Sequence, residues 1–142
     1  MSDARTRFEE LRPVIDGSPQ DELLSHIGAQ PGGIDGVLGL VFELTPESFR
    51  AEKARKGEGT FQYEITTPEG PKFYHVSVDH GTCAVGQGQL DSPKVTIGVD
   101  LGDFLKMTTG KLAGPQAFMT GKLKVSGNTF FAMKWRDWFT TL

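Results

Sequence analysis

A chain of 142 residues has the usual length of one domain and can bury a single real core. With 37% hydrophobic and 23% charged residues and no long like-charge run, it reads as a soluble globular protein and not a disordered one. The formal charge of -3 leaves no basic footprint for nucleic acid, and a single cysteine, Cys83, excludes an intrachain disulfide framework or a cysteine-built zinc site.

The first thirteen residues, MSDARTRFEELRP, are charged and lack an apolar signal core. No stretch approaches the ~20 apolar residues of a membrane span. The expectation is a cytoplasmic protein in a reducing compartment. The ending Thr140-Thr-Leu142 does not match a Ser-Lys-Leu address.

Residues 1–58 read as a helical N-terminal part. Ser18-Pro19-Gln20-Asp21 resembles a capped helix start, after which Leu23, Leu24 and Ile27 share one face. The apolar run from Gly36 to Leu44 fits a buried strand or a buried helix, and the helix is preferred. Thr45-Pro46-Glu47-Ser48 predicts another capped helix with Phe49 inward, ending in the basic run Lys53 to Lys56 and at Gly57.

Residues 59–142 change character. Phe61, Tyr63 and Ile65 alternate with polar neighbours and predict a half-buried strand over Thr60 to Thr67. Pro68-Glu-Gly70 turns the chain into a second strand, Phe73 to Asp79. His80-Gly81 turns it into a third, Thr82 to Gly86, completing an antiparallel meander with one dry face. Val95, Ile97 and Val99 mark a fourth strand. Asp100 is placed to cap a helix bearing Leu101, Phe104 and Leu105, with Asp103 in its first turn. A short helix spans Pro115 to Thr120. A last strand spans Lys122 to Ser126, with Leu123 and Val125 on one side and both lysines on the other. Asn128 opens a final helix whose stripe is Phe131, Trp135, Trp138, Phe139 and Leu142, with Phe130 and Met133 at its flank.

The tetrapeptide Thr-Gly-Lys-Leu occurs twice, from Thr109 and from Thr120. A phosphate loop needs a glycine five residues before its Gly-Lys pair and a Ser or Thr after it. Here Leu105 or Gln116 stands first and a leucine follows, so neither copy qualifies. Gly110 and Gly121 read instead as left-handed stops of two helices.

Taken in order, Val95-Thr-Ile-Gly-Val99, Asp103-Phe-Leu-Lys-Met-Thr-Thr-Gly-Lys111, Gln116-Ala-Phe-Met-Thr-Gly-Lys-Leu-Lys-Val-Ser-Gly-Asn128 and Ala132-Met-Lys134 resemble the sterol carrier protein type 2 family. The resemblance covers Thr60 to Leu142 well; the helical N-terminal part matches only in general character. It implies a single α+β domain over 1–142: a five-stranded, mostly antiparallel sheet with helices on one face, enclosing an apolar tunnel. The implied function is a non-catalytic carrier of a fatty acid, a fatty acyl-CoA or a sterol, with no cofactor. Transient contact with a membrane or a lipid-metabolising enzyme would follow, and the oligomeric state stays open. A rival reading is an interaction or dimerisation module of this fold without a usable tunnel.

Apolar faces and family position together nominate Phe104, Leu105, Met107, Phe118, Met119, Phe131, Trp135, Trp138 and Phe139 as tunnel lining, over a sheet floor of Val76, Ile97 and Val99. For any single aromatic, ordinary core packing is the simpler account. Burying ten methylenes would contribute roughly 8 kcal/mol before entropic losses, so such a site needs no catalytic group. Lys111, Lys122 and Lys124 are candidates for a lipid headgroup, or simply a solubilising edge. Lys134 and Arg136 beside two tryptophans fit a membrane-interface pattern or a solvated helix face.

Other constellations carry less. His75, Ser77 and Asp79 project from one strand face, but residues two apart stand almost 7 Å apart with parallel side chains, which opposes a catalytic triad. His80 should point to the opposite face from His75 and Asp79 unless the turn begins there, and no fourth ligand is evident, so these three make a poor metal site. Cys83 reads as a small buried hydrophobe. Gly86-Gln-Gly88 lacks the third glycine and the following helix of a dinucleotide loop.

Overall fold

Period-two alternation builds the centre of the molecule. A computed structural model describes residues 3–142. In it, β1 (Glu58–Thr67) pairs antiparallel with β2 (Gly70–Asp79), which pairs antiparallel with β3 (Thr82–Gln87). The chain then crosses to the other side of β1, where β4 (Val95–Asp100) pairs in parallel, and β5 (Leu123–Gly127) closes the order β3-β2-β1-β4-β5 antiparallel to β4. The sheet is therefore mostly antiparallel with one parallel pair, in an α+β fold.

Register puts the apolar positions in one layer. Phe61 lies opposite Val76 and Val95, Tyr63 opposite Tyr74 and Ile97, and Ile65 beside Val99. All of these are buried. On the other face Glu64, Thr66 and Lys124 are exposed. Gln62 is the exception on that face: it is 4% exposed, and its amide donates to the carbonyls of Tyr74 and Gly88 while its Oε1 accepts from Leu90 N–H at 2.7 Å. One buried amide thereby ties the loop before β4 to the sheet.

The helices cover the dry face. These are α1 (Asp3–Gly17), α2 (Gln20–Gly28), α3 (Gly33–Leu44), α4 (Leu101–Thr109), α5 (Gly114–Met119) and α6 (Thr129–Trp138). Phe42 of α3 stacks on Tyr74 at 4.4 Å between ring centres, and Phe104 of α4 meets both Phe42 and Tyr63. Phe8, Leu11 and Ile15 of α1 and Leu23 and Ile27 of α2 join the same core. None of the helices among the described residues is long and apolar enough to cross a membrane.

Several boundaries differ from the expectations. Ser18 makes no cap; α2 starts after Pro19, whose carbonyl accepts from Glu22 and Leu23. Asp100 precedes α4 in the expected place but makes no side-chain cap bond. The helix expected from Thr45 to Gly57 is only a 3-10 turn, Thr45–Ser48. Phe49 leaves it in extended conformation because a better backbone partner is available: it bridges Phe139, and Arg50 N–H donates to Trp138 C=O at 2.7 Å. The same pairing ends α6 at Trp138, so Phe139 and Leu142 are not on the helical stripe. Gly110 and Gly121 are left-handed as expected, and Asn128 caps α6 by accepting from Phe131 N–H.

Phe61 is fully buried and contacts four rings, those of Phe131, Trp135, Trp138 and Phe139. Phe61→Ala should lower unfolding free energy by about 3–5 kcal/mol. Chemical denaturation checks this; a loss below about 1 kcal/mol would contradict the central place of that ring.

Candidate functional site

The inner layer is not filled evenly. Around Phe61 the rings of Phe131 and Trp138 close on the sheet, and Gly57 and Gly59 permit the approach: a Cβ at 57 would overlap the Trp138 indole, and one at 59 the Phe131 ring. Two residues along β1, beside Tyr63, the packing opens into a cavity of about 530 Å³. That is within the usual range for small-molecule sites.

Its walls come from sequence-distant pieces. Val41, Phe42, Thr45 and Ser48 come from the end of α3 and the turn after it, Tyr63 from β1 and Val99 from β4. Phe104, Met107 and Thr108 come from α4, Leu112 to Pro115 from the start of α5, Leu123 from β5, Trp135 and Arg136 from α6, and Phe139 to Leu142 from the terminal segment. Phe139 stacks on Trp135 at 3.9 Å between ring centres. The terminal segment is held by Thr140 N–H to Ser48 C=O and Leu142 N–H to Thr108 C=O.

The wall is apolar with few free polar groups. The hydroxyls of Thr45, Ser48 and Thr108 are spent on the carbonyls of Val41, Thr45 and Leu105. Tyr63 is 5% exposed, and burial pushes its phenol well above the ordinary tyrosine range. Among the described residues no group hydrogen-bonds its hydroxyl, and neither Arg50, half-buried, nor Arg136, exposed, has an ion-pair or side-chain hydrogen-bond partner. The wall contains no Asp, Glu, His, Cys or Lys.

Of the nominated lining residues, Phe104, Met107, Trp135 and Phe139 border this cavity, with Val99 from the nominated floor. Leu105, Phe131 and Trp138 are core residues away from it, as are Val76 and Ile97. Phe118 and Met119 are exposed. Lys122 and Lys124 line a different, polar hollow on the uncovered sheet face, with Glu64, Asp100 and Asp103. Lys111 is exposed and borders neither. Sequence reasoning missed Phe42, Tyr63 and Arg50. Tyr63 was legible as inward-facing; Arg50 was hidden inside a helix that does not form.

The weaker constellations are resolved by their partners. His75 Nδ1 is 3.1 Å from the Gly88 carbonyl, and among the described residues no hydrogen bond joins it to Ser77. For His80 the stated exception applies: the turn begins at this residue, with φ 46°, and brings its Nδ1 to 2.6 Å from Asp79 Oδ1. Glu58, Asp79 and His80 form an exposed group. Cys83 is half-buried, and burial raises its thiol to about 11.

The model of the SCP-2 sterol transfer family matches residues 40–140, twenty residues earlier than the resemblance reached, so that the end of α3 is included. The mouse hydroxysteroid dehydrogenase-like protein 2 is 32% identical over 100 residues, which cover 70% of this chain and 20% of that protein. The chain thus spans about a fifth of that relative. Caenorhabditis elegans non-specific lipid-transfer protein-like 1 is 30% identical over 68% of this chain and 85% of its own length. The crystal structure of sterol carrier protein 2 like 2 from Aedes aegypti is 28% identical, covers 71% of this chain and 91% of its own, and superposes with a TM-score of 0.58. The chain belongs to the SCP-2 sterol transfer family.

Two measurements follow from the titrating groups. Asp79 holds the His80 imidazole above its ordinary value by hydrogen bond and charge. The pair therefore favours the fold fully below the unfolded imidazole pKa, and that contribution fades as pH rises through the raised folded one. In Asp79→Asn the His80 midpoint, followed by NMR titration, should drop. Cys83, protonated at neutral pH, should react with a thiol reagent far more slowly in the native than in the denatured chain.

Proposed function

We propose that this chain is a non-catalytic lipid carrier. Its ligand is a long-chain lipid with an anionic head, a fatty acid or a fatty acyl-CoA, held in the cavity beside Tyr63. The carrying observation is the wall itself: rings of Phe42, Tyr63, Phe104, Trp135 and Phe139 around about 530 Å³, with two unpartnered guanidinium groups among the lining residues. Family membership supports lipid binding, and the lipid-transfer name of the nematode relative agrees with it.

The chemistry of the wall supports carriage over catalysis. Acid–base or nucleophilic work needs a titrating group within hydrogen-bond reach of the reacting atom, and the lining offers no His, Asp, Glu, Cys or Lys. Apolar burial holds the tail. Arg50 and Arg136 meet the head, since guanidinium matches carboxylate and phosphate bidentately. The Tyr63 hydroxyl is left for a water or a polar atom of the ligand.

Native mass spectrometry of the purified protein, with extraction of whatever is bound, tests the reading directly. A co-purified or added acyl chain should appear at one per chain. The Arg50→Gln, Arg136→Gln double variant should bind palmitate about 10- to 100-fold more weakly, while binding of the neutral methyl ester stays within about twofold. Equal losses for acid and ester would remove the anionic-head assignment; a clean apo mass with no uptake would favour an interaction module instead.

A further inference from the structure

Phe118, Met119, Phe130 and Met133 are the exposed large hydrophobic residues among the described ones, at 53%, 85%, 81% and 67%. All four belong to α5 and α6, which both pack against β5. Charge is distributed unevenly in the same sense. From Phe104 to Leu142 the chain has six Lys and Arg against the single acid Asp137, a net of +5; residues 1–103 have nine against seventeen, a net of -8, which together give -3.

We propose that α5 and the outer side of α6 form a docking surface for an anionic lipid bilayer. Phe118 and Met119 at the end of α5, and Phe130 and Met133 on α6, enter the headgroup boundary; Lys111 and Lys134, both exposed, meet the anionic lipid. A bilayer suits the pattern better than a protein partner, because protein interfaces are depleted in lysine whereas interfacial helices combine apolar tips with lysines. The stretch that carries both helices is the cationic part of the sequence, and an anionic surface attracts it.

The placement also serves the cavity. Pro115 at the start of α5, Leu123 of β5 and Trp135 and Arg136 of α6 are cavity wall, so the elements that meet the membrane on one side border the ligand on the other. A lipid passes between bilayer and cavity along these elements without crossing bulk water. The docking surface stands apart from the identity of the cavity's ligand, since its apolar residues are not among the lining ones.

The test is co-sedimentation with vesicles of phosphatidylcholine alone and of phosphatidylcholine with phosphatidylserine. Wild-type protein should bind the serine-containing vesicles, and binding should fall as salt rises. The quadruple variant Phe118→Ser, Met119→Ser, Phe130→Ser, Met133→Ser should lose at least about tenfold in partition. Lys111→Gln and Lys134→Gln should each lose about fivefold, on the anionic vesicles only. Circular dichroism and palmitate uptake should remain unchanged in all three, which separates this proposal from the cavity assignment. Absent wild-type binding, or binding undiminished in the quadruple variant, overturns it. A concentration-dependent dimer that the quadruple variant abolishes, without vesicle binding, assigns the face to a second copy and also overturns it.

Discussion

The part of the sheet that α6 covers is arranged around one buried ring, Phe61. It is met edge-on by Trp135, Trp138 and Phe139 and face-on by Phe131, so that α6 and the segment after it are anchored at the middle of β1. Each such aromatic pair contributes about 0.5–1.5 kcal/mol beyond area burial, and the geometry is selective. Two glycines carry the cost of that closeness. A side chain at Gly57 or Gly59 would occupy the space of Trp138 or Phe131.

The cavity is the complement of that anchor. Along β1 the next inward residue is Tyr63, and the rings that reach it come from three directions: Phe42 of α3, Phe104 of α4 and Trp135 of α6. Three helices converging on one side chain from different directions leave space between them that none fills alone. Interiors are normally close-packed, so a void of this size, bordered by aromatic side chains and two cations, is a feature with a use.

This division explains what the chain revealed before its structure was known. Period-two patterning exposed four of the strands and the His80-Gly81 turn the third, and periodicity also gave the inward set Phe61, Tyr63, Ile65, Val95, Ile97 and Val99 and the helical stripe beginning at Phe131. Such patterns tell which way a side chain faces. They cannot tell whether the space it faces is filled, because that depends on volumes brought from elsewhere. Phe131 and Trp135 share a stripe, yet the first is core and the second borders the cavity. The part least legible was 45–57 together with 139–142. Their local signals, Thr45-Pro46 and the helical spacing of Phe139 and Leu142, favour helix, and a long-range backbone pairing between Phe49 and Phe139 overrides both. Arg50 reaches the cavity only through that pairing.

Selectivity then has to come from the few polar groups. Apolar burial is non-directional and scales with area, so a cavity of aromatic and aliphatic walls accepts acyl chains and other apolar bodies on nearly equal terms. Hydrogen-bonded charge does discriminate: a guanidinium with no protein partner gives up no protein ion pair to meet a carboxylate, and the charge-assisted bonds offset the water it sheds, whereas a neutral head would supply no counter-charge. Arg50 is half-buried and Arg136 exposed, so the two impose unequal demands. The half-buried one has the less water to fall back on, so in the proposed carrier the head of the ligand would be decided chiefly by Arg50, a residue whose position depends on the strand-like pairing of Phe49 with Phe139.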